Sequence, residues 1–157
     1  MAVVIIDGRV RVTWCTAISS IAAPTTTELN NGTLIQGYIT PDGLDISAST
    51  GKVDVSNLGS TYTTTKAGRR GFDISIKFHH ESGTDVPYNL FPYNTDGYIV
   101  VRRGTLATTA WASTDKVEVY PINTGEAQQE KPAVDGTWDF TSPMFVSTDP
   151  NTRAVVA

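Results

Sequence analysis

The chain has 157 residues, a length that suits one domain with a buried core, and 39% hydrophobic with 18% charged residues exclude a wholly disordered chain. A formal net charge of −4 speaks against a nucleic-acid binder, whose affinity for phosphates needs clustered Lys and Arg. The acidity is uneven: residues 1–70 hold six Lys/Arg against five Asp/Glu, and residues 71–157 hold six against eleven.

Met1–Ile6 is apolar, but Asp7 follows at once, so no signal-peptide pattern is read. Val3–Ile6 is expected as a strand or an arm, with Asp7-Gly8 turning into the next segment. In Arg9–Trp14, Val10, Val12 and Trp14 share one face, and Arg9, Arg11 and Thr13 form a wet one. Cys15 is the only cysteine, which excludes an internal disulfide and suits a reducing compartment. Its expected role is that of a small buried hydrophobe. Pro24, the hydroxyls of Thr25–Thr27, Glu28 and then Asn30-Asn31-Gly32 bracket a short helix over Thr25–Asn30. Thr33–Thr40 reads as a strand closed by a Pro41-Asp42-Gly43 turn. Leu44–Arg70 is rich in Ser, Thr and Gly and poor in large apolar residues. Val53 and Val55 suggest a short strand there, and Ser60–Gly71 an exposed loop or an extended hairpin; a loop as long as 44–70 in a compact domain is usually functional or disordered in isolation.

The second half is more regular. Phe72, Ile74, Ile76 and Phe78 alternate with Asp73, Ser75, Lys77 and His79, the clearest strand of the chain. Few edge-protecting devices mark that strand, a hint of self-association. Val86–Thr95, with two prolines and several aromatics, is a short helix or an ordered loop. Gly97–Arg103 is a strand, and Lys116–Tyr120 another, with Val117 and Val119 opposed to Lys116, Glu118 and Tyr120. Thr137–Val146 sets Trp138 and Phe140 against Asp139 and Thr141, with a bulge or edge position at Pro143. Asn151–Ala157 is a terminal strand or arm. Short strands in this number, with one or two small helices and no βαβ rhythm, predict an all-β sandwich or partly open barrel. No apolar run approaches the roughly 20 residues of a spanning helix, so no membrane insertion is expected.

No catalytic set emerges. His79 and His80 point to opposite faces of a strand, and no further His or Cys stands at a ligand-like spacing, so no metal and no cofactor are expected. One histidine is expected to be half-buried and the other exposed. Glu126 and Glu130 sit in a polar stretch with no sign of a pocket. No nucleophile elbow, phosphate loop or dinucleotide fingerprint occurs. A binding module of the kind that decorates a virion surface would use exposed aromatics, for which Tyr62, Tyr88, Tyr93 and Trp111 are the candidates.

The ordered segments Arg9–Trp14, Ile21–Thr25, Glu28–Gly32 and Tyr38–Gly43, then Gly97–Gly104 and Lys116–Pro121 followed by Gly125, resemble the major tail tube proteins of long-tailed, non-contractile phages (siphophages), particularly those of actinobacteria. The resemblance runs over nearly the whole chain and is carried by the order of the segments. It implies a β-sandwich flanked by a helix, hexameric rings that stack into a tube, and a conduit for DNA ejection. Four strands from each subunit would make an inner barrel of about 24 strands, whose spacing and tilt give a backbone diameter of about 48 Å. Side chains narrow that to roughly 40 Å, enough for a DNA duplex that passes without specific binding. The implied partners are further copies of the chain, a tape measure protein and tail-end proteins. The implied location is the virion, after assembly in the host cytoplasm. On this reading Asp73, Ser75, Lys77, Glu118, Asp139 and Thr141 are the candidates to face the lumen. The segment 44–70, with Lys52, Asp54, Tyr62, Lys66, Arg69 and Arg70, is the candidate stacking loop. Residues 1–8 and 147–157 are the candidate arms of a single domain.

Overall fold

A computed structural model describes all residues, 1–157. Nine strands and two short helices follow one another as β1 (Val10–Cys15), α1 (Thr26–Asn30), β2 (Thr33–Leu34), β3 (Ile39–Asp54), β4 (Thr65–His79), α2 (Val86–Leu90), β5 (Asp96–Arg103), β6 (Lys116–Thr124), β7 (Gln128–Gln129), β8 (Asp139–Val146) and β9 (Asn151–Val155). All strand pairs are antiparallel and belong to one sheet, in the order β2-β1-β5-β6-β8-β4-β3. The sheet divides at β6. The start of β6 pairs with β9, and Ile122–Thr124 pair with Val146–Met144 of β8. The result is an all-β fold built on a curled sheet that stays open, because β2 and β3 end the path without meeting.

The curl encloses the larger core. Val12 and Trp14 of β1, Ile99 and Val101 of β5, Tyr120 and Ile122 of β6, Phe140 and Met144 of β8, and Ile74, Ile76 and Phe78 of β4 pack into one cluster. An aromatic series crosses it. Phe91 meets the Trp14 ring edge-on at 5.0 Å and stacks on Phe78 at 5.1 Å, and Phe78 stacks on Phe140 at 5.4 Å. Burying one such ring contributes about 1.5–3 kcal/mol, so this series ties β1 to β4 and β8 across the fold. Gly97 makes room for it: a Cβ there would lie 2.4 Å from the Trp14 ring.

A second core covers the other face of β1, β5 and β6. It gathers Cys15, Ile18, Leu29, Val100, Trp111, Val117, Val119, Ala154 and Val156. Helix α1 supplies Leu29 and is fixed by a capping box. The Thr25 Oγ1 accepts from Glu28 N at 3.2 Å while Thr25 N donates to Glu28 Oε1 at 3.0 Å. Here the expected wet face of β1 is corrected, since Arg11 and Thr13 are buried. Each of them keeps a partner, Thr13 Oγ1 donating to Thr33 O at 3.1 Å, while Arg11 Nε is left without one. Arg11 Nη1 donates to Ala107 O at 2.7 Å. Neighbouring Arg102 donates to the carbonyls of Leu106, Thr109 and Ala110 and to Asp115 Oδ2 at 2.9 Å. Both guanidinium groups lie over the Trp111 ring. Two arginines thus hold the 104–115 loop down as a lid on this core.

Several further expectations change. The Thr33–Thr40 strand is broken by a turn at Gln36–Tyr38. Pro41-Asp42-Gly43 does not end a strand; it forms an irregularity inside β3, between the Ile39–Phe78 and Leu44–Ile76 pairs. The strand with the clear alternation, β4, is not an edge, because β3 and β8 flank it. Pro143 causes no register shift against β4. On its other side β8 changes neighbour there, from β7 to β6, with Gly125 N donating to Pro143 O. Residues 1–6 form no strand, and Val3, Val4 and Ile5 are exposed. Of the two alternatives for the C-terminal segment, the strand forms: β9 pairs with β6, and Ala154 and Val156 are buried.

Candidate functional site

The second core covers only half of the sheet's outer face. The other half, over β3, β4, β8 and β7, is uncovered and mainly polar, with Phe145 exposed on it. Register fixes which residues share it, because directly opposed residues point to the same side. Asp73 pairs with Ser47 and Phe145, Ser75 with Asp45 and Pro143, Lys77 with Thr141, and His79 with Asp139. Gln128 lies opposite Thr141. Of the six residues proposed for a lumen, five therefore lie on one face: Asp73, Ser75, Lys77, Asp139 and Thr141. Glu118 does not. It pairs with Val101 and lies on the side of the larger core, where Arg103 Nε donates to it at 2.9 Å and Tyr120 Oη at 3.2 Å. Neither Asp45 nor Ser47 was marked by the sequence, because the expected strands stop at Thr40 and resume only at Val53 and Val55, within a stretch rich in Ser, Thr and Gly.

Charge on the face is net negative. Asp45, Asp73, Glu130 and Asp139 stand against Lys77, a formal −3. Asp139 is partly withdrawn, with 10% of its side chain exposed. Burial raises its pKa, but hydrogen bonds from Thr137 and His79 and the charges of His79 and Lys77 outweigh this and hold it below the ordinary range. His79 Nδ1 lies 2.6 Å from Asp139 Oδ1, so that nitrogen carries the proton. Thr141 Oγ1 donates to Glu130.

The segment 44–70 is two strand arms and a turn, not an open loop. Leu44–Thr50 pair in step with Ile76–Arg70. A bulge follows on β4 between the Thr50–Arg70 and Lys52–Ala67 pairs, and the arms continue to Asp54–Thr65. Lys52 and Asp54 lie on one arm, Lys66 on the other, Arg69 at the bulge, and Tyr62 in the tip with 78% exposure. Arg70 is bound back to the body through Asp149 at 2.5 Å. Beyond that bridge no residue of the hairpin is buried. Local pairing alone holds it, with Val55 N donating to Thr64 O at 2.9 Å.

The opposite end of β4 carries a different cluster. His80 turns its Nδ1 to Asp85 and its Nε2 to Gln129 Oε1 at 2.9 Å. Its ring stacks on Trp138 at 4.0 Å and lies against Tyr88 and Phe140. The pair expected from sequence thus splits, with the His80 side chain 2% and the His79 side chain 38% exposed. Each histidine takes a different carboxylate, and no three His, Cys, Asp or Glu side chains converge. Trp138 lies before β8, not within it, and is exposed, as is Tyr93. Trp111, an expected exposed aromatic, is buried instead. Cys15 is also buried, and desolvation with the nearby Glu28 charge pushes its thiol up to about 11, which leaves it protonated and unreactive at neutral pH.

A family model described as phage tail tube protein matches residues 1–157. The chain therefore belongs to the phage tail tube protein family, with a structural role in the virion tail and self-assembly into a tube. No curated protein matches it.

Proposed function

We propose that this member of the tail tube family forms hexameric rings that stack into the tail tube of a long-tailed, non-contractile phage, and that DNA leaves through their common lumen. One observation carries the reading: four neighbouring strands, β7, β8, β4 and β3, present an uncovered, net-negative face on a sheet that is otherwise packed on both sides. That face lines the lumen. A wall of one sign with phosphate repels DNA and avoids the counterion release that would make it stick. Lys77 does not reverse the balance, because three of the four carboxylates remain unmatched in charge. At the side, β3 leaves one edge unpaired along 16 residues. Such an edge is a template for strand addition, and addition of a neighbour's sheet continues the wall around a ring. The tape measure protein fills the lumen before DNA does, and tail-end proteins seed the first ring in the host cytoplasm.

Negative-stain microscopy of the concentrated protein, alone and with tail-end proteins as initiator, tests the assembly. Tubes with a central channel are expected. A strictly monomeric species under every condition refutes it. The wall is tested separately by Asp45→Lys with Asp73→Lys, which turns the face from −3 to +1. Virions carrying this subunit are expected to assemble and to eject DNA slowly at low salt and faster at high salt. Salt-independent, wild-type ejection would remove this face from the lumen.

A further inference from the structure

Beneath the 104–115 lid, three buried N–H groups have no hydrogen-bond partner: Arg11 Nε, Arg102 Nε and Trp111 Nε1. Arg11 and Arg102 are directly opposed across the β1–β5 pair, so both side chains leave the sheet on the same side. Their guanidinium carbons lie 5.2 and 5.1 Å from the centre of the Trp111 ring. Each of the three residues is more than nine-tenths buried. We propose that Arg11, Arg102 and Trp111 form a binding site for a single halide ion, such as chloride, which pins the lid to the sheet.

The pattern of donors and acceptors selects an anion. Arg102 places its four Nη hydrogens on the carbonyls of Leu106, Thr109 and Ala110 and on Asp115 Oδ2, so only its Nε–H is left. The same Asp115 oxygen also accepts from Ala112 N at 2.9 Å. The Ala107 carbonyl is taken by Arg11 Nη1 at 2.7 Å. The acceptors of the lid are thus engaged, and what remains are donors. A water molecule would have to place two hydrogens of its own, whereas a halide accepts from every side and donates nothing.

Charge points the same way. Arg11 and Arg102 stand against Asp115 alone, a formal +1 under the lid. Burial and the Arg102 charge push the Arg11 pKa down, and Asp115 opposes them. One negative ion neutralises the cluster, and a buried charge is stable only when it is paired. The four larger recesses of the surface include none of the three residues, so the site suits an ion of one atom rather than a phosphate or a carboxylate ligand. An ion held by β1, β5 and the lid together belongs to the folded chain alone, and its binding raises stability. The site is separate from the polar face over β3, β4, β8 and β7.

Thermal melting of the full-length chain tests the site, at one protein concentration and constant ionic strength, with sodium chloride exchanged for sodium gluconate. At about ten times the Kd of the ion, the wild type is expected to melt roughly 3–6 °C higher in chloride. Trp111→Phe keeps a ring beneath both guanidinium groups and removes one N–H. Loss of one hydrogen bond to a charged group weakens the ion about tenfold, which cuts the gain to about a third. A crystal grown in bromide is expected to show an anomalous peak at hydrogen-bond distance from all three nitrogens. Equal wild-type melting in chloride and gluconate, an undiminished gain in Trp111→Phe, or a bromide crystal without that peak each overturns the proposal.

Discussion

Shortening the hairpin is expected to separate folding from assembly. Ser56–Thr63, eight residues, are replaced by Asn-Gly, so that Val55 and Thr64 close a two-residue turn. The removed side chains are all exposed or nearly so. Their hydrogen bonds, such as Asn57 N to Ser60 Oγ at 3.3 Å and Gly59 N to Asn57 Oδ1 at 3.0 Å, lie in water and exchange for bonds to solvent. Neither core loses a residue. Closing two residues instead of eight lowers the loop entropy cost by about 1.2 kcal/mol. For a chain of this size that corresponds to a Tm gain of roughly 2–5 °C. Circular dichroism melting reads the stability, and negative stain reads the assembly. The expected variant melts at or slightly above the wild-type temperature and forms no long tubes. A Tm loss of more than about 5 °C would mean that the tip supports the fold. Tubes of wild-type length would remove the hairpin from the ring-to-ring contact.

Two further predictions concern the body of the fold. Phe78→Ala empties the centre of the aromatic series between Phe91 and Phe140 and is expected to cost about 3–5 kcal/mol; urea unfolding measures it, and a loss under about 1 kcal/mol would show that β4 is not tied to β1 through Phe91. The Asp139 carboxyl has a folded pKa below its unfolded one. Its contribution is therefore complete above the unfolded value of about 4 and is lost as pH falls through the folded value. The stability difference between wild type and Asp139→Asn should shrink as pH is lowered from 6 to 3, and a difference constant with pH would contradict the assigned cause.

Local signals carried the parts of this protein that local forces decide. The alternation from Phe72 to Phe78 marked β4 because one face of that strand is buried and one is not. Thr25 and Glu28 marked the start of α1 because a capping box is complete within four residues. The tail tube family was legible in the order of such segments. Which face each strand turns outward was legible only where the neighbouring strands were also regular: Asp73, Ser75 and Lys77 were placed together, and Glu118 was not, because its side is set by pairing with Val101.

Tertiary structure decided the rest. The polar side of β1 became core because the Ala107 carbonyl, 96 residues away in sequence, accepts from Arg11. Pro41-Asp42-Gly43 became an irregularity within a strand because β4 continues to pair on both sides of it. The Ser- and Thr-rich stretch became a projecting hairpin because β4 extends past the body and gives it a partner. In each case the sequence set the local preference, and a pairing partner distant in the chain decided the outcome.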